Sequence, residues 1–200
     1  MALNPDATLD CLAIGHHLQR RAGRFGSAEI HLFAYLACLL SLYQREAITD
    51  WGYSFVGTEL GAPFSTEIDL ALKELLERCF ISRHHDSFRM TTAAEERLAT
   101  IRSLSLIQRR IQFLDAACAS ATALSIGMVS TALGSEPELN RSKLLPNTRL
   151  LLEDAARQQL YAQFDALRRG IGVENKDLRV PAVVWLTALY QYGTSGVGSL

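Results

Sequence analysis

The run EIHLFAYLACLLSLY, from Glu29 to Tyr43, is apolar on most faces of a helix over about four turns. A helix without a polar face has to be surrounded by protein, so the rest of the chain must supply layers on every side of it. Ser27 stands where it can cap this helix, expected from Ala28 to Gln44. At 200 residues, 48% hydrophobic and 20% charged, the chain is long enough and apolar enough to bury such a core.

Around this segment the sequence predicts further helices. Thr8 to Arg21 carries Leu9, Leu12, Ile14 and Leu18, with Arg20, Arg21 and Arg24 near its C-terminal end and glycines at 23 and 26 breaking the pattern. The stretch ITDWGYSFVGTELGAPFS reads as an irregular connection with a short extended piece at Tyr53 to Val56. Ser65 is a good N-cap for a helix carrying Ile68, Leu70, Leu72, Leu75 and Leu76. CFIS and SFRMT, separated by RHHD, suit an antiparallel hairpin between Cys79 and Thr91. Thr92 with Glu95 suits a capping box opening the next helix.

The order helix, helix, hairpin, helix is that of a winged helix-turn-helix, expected over residues 27–101 after an N-terminal helix in residues 1–26. Residues 102–200 are expected to be a helical partner-binding region. It should hold a long helix or broken pair from Leu104 to Leu133, a polar loop at SEPELNRSKLLPN, and a stripe of Leu152, Ala156, Leu160, Phe164 and Leu167. A last helix should have Pro181 in its first turn and stop at Gly193, before a frayed tail. The fold class is therefore mainly α with one small β-hairpin wing. Leu36, Leu39, Leu40, Leu72, Leu75 and Ile81 are expected to be buried together.

A formal net charge of −1 supplies no global field toward nucleic acid or anionic lipid. Cys11, Cys38, Cys79 and Cys118 lack metal-ligand spacing and read as reduced, buried thiols, which favours the cytoplasm. The N-terminal residues MALNPDATLDC have no basic stretch followed by an apolar one. Ala116 to Gly134 has no charge and approaches the length of a membrane span. Its Ala, Ser and Thr content argues instead for a helix packed in protein, with no membrane contact.

No phosphate-binding loop and no nucleophile elbow occurs, so the chain is expected to be non-enzymatic and to need no cofactor. Neighbouring helical residues point about 100° apart, so His16 and His17 cannot share a metal. His84 and His85, with Asp86, suit a solvated turn better than a zinc site. Glu95–Glu96 and Glu153–Asp154 suit caps and solvated helix faces rather than a catalytic pair.

In a winged helix the second helix of the helix-turn-helix enters the DNA groove. Here Ser65 to Arg78 carries Glu67, Asp69, Glu74 and Glu77 against Lys73 and Arg78, a poor partner for phosphate. The wing, with Arg83, His84, His85 and Arg89, is the better candidate for nucleic-acid contact, although these residues equally suit a soluble hairpin.

HLFAYLACLLSLYQ, YSFVGTELGAPFSTEIDLALKELLERCFI with its Gly-x-Pro-Phe-Ser helix start, and FRMTTAAEERL together resemble the small middle component of bacterial ABC three-component defence systems, the group that includes Lamassu. The resemblance covers residues 27–101 and, more loosely, the helical remainder. It implies a non-catalytic regulatory or scaffolding subunit in antiviral defence, bridging or restraining an effector, often a nuclease, beside an SMC-like ATPase that senses DNA. DNA contact would then be indirect or through the wing. The acidic second helix departs from a standard DNA reader. The alternative is a winged-helix transcription regulator.

Two segments suit a partner interface: the uncharged stretch around Ala123 and Met128, and the apolar last helix with Trp185, Tyr190 and Tyr192. The other possibility is that both pack on each other and on the Leu152–Leu167 stripe.

Overall fold

The computed structural model describes residues 4–144, 149–172 and 177–195. It is mainly helical. In chain order the elements are α1 (Pro5–Ala22), α2 (Ser27–Tyr43), β1 (Val56–Gly57), β2 (Pro63–Phe64), α3 (Thr66–Glu77), β3 (Ile81–His84), β4 (Ser87–Met90), α4 (Thr92–Arg102), α5 (Gln108–Ala123), α6 (Ile126–Gly134), α7 (Pro137–Ser142), β5 (Arg149–Leu150), α8 (Asp154–Ile171) and α9 (Arg179–Ser195).

The all-apolar helix is where its sequence requires. Every residue of α2 from Ile30 to Tyr43 is buried, and α1, α3, α5 and α8 surround it. Leu36, Leu39, Leu40, Leu72, Leu75 and Ile81 all lie in one hydrophobic cluster, which also takes residues from α1, α5, α6 and α9. The hairpin is present, with Ile81 opposite Met90 and Arg83 opposite Phe88.

Tertiary contacts change several local details. Gly26, not Ser27, is the N-cap of α2, and its backbone N–H donates to the Glu29 carboxylate at 2.7 Å. The reason lies one residue earlier: Phe25 is held extended by two backbone hydrogen bonds to Phe88 of β4 (3.1 and 2.7 Å), so the helix starts only after Gly26. Gly15, midway along α1, makes room for this arrangement. A Cβ there would lie 2.9 Å from the Phe25 ring.

Thr92 does not form a capping box with Glu95. Thr91 is the N-cap position of α4, and its hydroxyl donates to the carbonyls of Cys79 and Phe80, which closes the base of the hairpin. Glu95 accepts from Gln19 of α1 instead. Ser65 does precede α3, but its hydroxyl donates to Glu67 and its backbone N–H to the ring of His31.

The uncharged stretch Ala116–Gly134 is not one helix. Leu124 is extended (φ −121°, ψ 144°), Ser125 caps α6 by accepting from the Met128 N–H, and the chain turns by 111° between the two helices. Among the described residues no single helix is long and apolar enough to cross a membrane, although this bent pair passes that test together on length and composition. The expected polar loop after Gly134 contains α7, whose N-terminus is capped by the buried carboxylate of Glu136. A second small sheet, β2–β1–β5, pairs residues almost a hundred positions apart, and the sequence signalled only the extended piece at Tyr53 to Val56 that runs into β1. Cys11, Cys38 and Cys118 are buried, whereas Cys79 is exposed in the turn after α3, with a left-handed backbone (φ 57°). α9 continues through Gly193 to Ser195, and the tail beyond it lies outside the described residues.

Candidate functional site

The hairpin face is built by backbone pairing. Phe25 and Phe88 oppose each other, their rings 6.0 Å apart and both buried. Side chains alternate across a strand, so Arg24 and Arg89, one step from that pair and opposite one another, take the outward face. Ser82 pairs with Arg89, and His84 lies two residues farther along the same face. The last turn of α1 is tied to this face because the Gln19 side chain accepts the Met90 N–H at 2.6 Å. Arg20 and Arg21, next along α1, are exposed.

The four wing residues singled out above, Arg83, His84, His85 and Arg89, are all exposed. The Arg83 Nε donates to the His85 carbonyl at 3.1 Å, which braces the turn. Sequence reasoning left Arg24 out of this group. The one available signal was an aromatic residue between two glycines, Gly23-Arg24-Phe25-Gly26, which marks a short extended piece rather than a plain break.

The outer side of α3 remains acidic. Its two cations are used within the helix, Lys73 on Asp69 (2.7 Å) and Arg78 on Glu74 (2.5 Å). Glu67 and Glu77 are left over, one half-buried and one exposed.

The five proposed interface residues separate by exposure. Ala123 is exposed at the end of α5, Tyr192 is 80% exposed on α9, and Met128 and Tyr190 are half-buried. Trp185 is buried: its ring packs edge-on against Phe164 and its Nε1 donates to Gln163 at 3.1 Å. α6 and α9 pack on each other, and no Asp, Glu, Lys, Arg or His occurs in 116–134 or 180–195. Their outer faces present Gly127, Ser130 and Thr131 from α6 and Val184, Ala188 and Tyr192 from α9. A groove of about 640 Å³ runs beside them, with Leu60 (88% exposed) and Tyr192 on its rim and the Lys143 ammonium tied to the Gly134 carbonyl at 2.7 Å.

Two polar clusters join α1 to α5. In the first, the fully buried Asp10 carboxylate accepts from Arg110 at 2.6 and 2.7 Å and from the Tyr53 hydroxyl. The Arg110 guanidinium also donates to the Trp51 carbonyl at 2.8 Å and stacks over the Trp51 ring at 4.0 Å. Burial opposes the Arg110 charge, but Asp10 more than offsets it and raises the guanidinium pKa further. In the second, Asp115 sits 2.7 Å from His17 Nε2 and 2.8 Å from Arg102, both partly exposed. His31 stands apart, buried, stacked on Phe64 at 4.8 Å, with Nδ1 accepting from the Ser65 N–H. Burial lowers its pKa from 6.5 to about 4, so its imidazole is neutral at pH 7. No group of three or more His, Cys, Asp or Glu that could hold a metal is found among the described residues. No protein-family model, curated protein or solved structure matches the chain.

Proposed function

We propose that this chain is a non-catalytic adaptor subunit whose α6–α9 face holds a larger protein partner. The observation that carries this is a solvent-facing pair of packed helices without Asp, Glu, Lys, Arg or His over residues 116–134 and 180–195, with Tyr192 80% exposed. Solvent-facing helices ordinarily carry charge on their outer side, whereas interface centres are depleted in charge and enriched in aromatics. The resemblance to the middle components of ABC three-component systems names the partner class, an SMC-like ATPase acting with a nuclease-type effector in antiviral defence.

Within this proposal the winged helix comprises α1, the bridging residue Phe25, α2, α3 and the β3–β4 hairpin. The extended residue between the first two helices pairs with the second hairpin strand through a single bridge, beside the two-stranded sheet. The basic hairpin face favours a second reading, a winged-helix transcription regulator. The acidic outer face of α3 weighs against it as a sequence reader.

Tagging the chain in its native host and isolating it separates the two. Stoichiometric recovery of an SMC-like ATPase, lost on Tyr192→Asp, is the expected result. A free dimer that footprints one promoter sequence would instead establish the regulator.

A further inference from the structure

The β3–β4 hairpin and the end of α1 form one arginine-rich surface from segments about sixty residues apart. Arg20, Arg21, Arg24 and Arg89 are all exposed, and none forms an ion pair among the described residues. Three carboxylates stand nearby, and Glu95 of α4 accepts from Gln19, the residue before Arg20. Glu29 is occupied by the Gly26 N–H, and Asp86 sits exposed at the hairpin tip. Several arginines elsewhere are paired with acids, Arg45 with Asp165, Arg102 with Asp115, Arg109 with Glu46 and Arg110 with Asp10, whereas Arg97 and Arg169 are exposed without an ion pair among the described residues. Unpaired guanidinium groups held at fixed positions on a sheet are suited to bidentate capture of phosphate.

The rest of the face narrows the ligand. Its phenylalanines, Phe25 and Phe88, are 2% and 8% exposed and point into the core. With Arg24 and Arg89 the outward positions hold Ser82, His84 and Ser87, none of them apolar. With no exposed Phe, Tyr or Trp, the face offers only the His84 imidazole as a platform for the stacked bases of a single strand. Without an apolar centre it also lacks what a protein interface or an inserted membrane contact needs. Charge complementarity to phosphate remains, and the regularly spaced phosphates of a duplex supply it.

We infer that this face is a sequence-independent clamp on the phosphate backbone of duplex DNA, with Arg24 and Arg89 at its centre and Arg20 and Arg21 flanking them. α3 is not the reading element. Binding releases the counterions condensed on the phosphates, so affinity falls steeply with salt.

The test is titration of the purified full chain into a short fluorescein-labelled DNA duplex, followed by fluorescence polarisation over a series of NaCl concentrations. Wild type is expected to bind at low salt, with log affinity falling against log salt at a slope of about −4. Arg24→Ala/Arg89→Ala is expected to bind at least about tenfold more weakly at low salt and to lose about two from the slope. Arg169→Ala, an exposed arginine on α8, is the control and should change neither. Circular dichroism melting checks that the double variant is folded; if it is not, Arg20→Ala/Arg21→Ala is read in the same way. An unbound wild type, an unchanged slope in the folded variant, tighter binding of a single strand of the same length, or equal competition by polyglutamate or by anionic phospholipid vesicles would each overturn the inference. The clamp and the adaptor proposal fail separately, because Arg24→Ala/Arg89→Ala is expected to recover its protein partner at full yield.

Discussion

The hairpin face and the α6–α9 face differ in what they leave unsatisfied. The first exposes four arginines without carboxylate partners; the second exposes neutral side chains and a tyrosine that is 80% exposed. Exposed charges of one sign add little to the stability of a fold, and neither does an exposed tyrosine. What holds the molecule together lies between the faces, in the α2 core and the Asp10–Arg110–Tyr53 cluster that ties α1 to α5. Binding and stability are therefore carried by different residues, and substitutions should separate them.

The largest effect is expected at Asp10. Asp10→Ala removes the hydrogen-bonded carboxylate of the buried Arg110 guanidinium, leaving only Asp6 at 3.9 Å, and should cost about 3–5 kcal/mol in urea unfolding. A loss below about 1 kcal/mol would mean that the cluster behaves like a surface pair and that the contrast between faces and interior is wrong. Trp185→Ala, which removes a buried ring packed on Phe164, should also cost about 3–5 kcal/mol. A variant that kept its full stability but lost its partner would return Trp185 to the interface.

His31 gives a pH signature of the interior. Its pKa is about 4 when folded against 6.5 ordinarily, so the unfolded chain takes up its proton first. The His31 contribution is fully present above pH 6.5, is lost progressively as pH falls toward 4, and amounts to about 3 kcal/mol. In His31→Gln that part of the stability-versus-pH profile should flatten, and an unchanged slope would remove His31 as its source. The smallest effect on folding is expected on the neutral face. Val184→Asp or Tyr192→Asp should shift stability by no more than about 0.5 kcal/mol while abolishing partner recovery. Full recovery with both would place the partner elsewhere.

Much of this architecture is legible along the chain because it depends on local periodicity. α2 declares its burial by lacking a polar face, α3 and α8 by their leucine stripes, and the hairpin by a change of period at Ile81. Capping was less legible: Ser27 and Thr92 have the right chemistry, yet Gly26 and Thr91 hold the positions because strand pairing and the hairpin base claim the backbone first. The wing arginines could be named from sequence, but Arg24 could not be joined to Arg89. Their juxtaposition depends on a hydrogen-bonded pair, Phe25 with Phe88, sixty-three residues apart in the chain.

By itself the sequence determined a helical protein around one wholly buried helix, with a hairpin between α3 and α4, since these follow from side-chain chemistry within a few turns of backbone. Tertiary structure alone decided that Ala116–Gly134 bends at Leu124, that Trp185 faces inward while Tyr192 faces out, and that Asp10 meets Arg110. A residue's type sets what it costs to bury. Which neighbour removes that cost is settled only when distant segments meet.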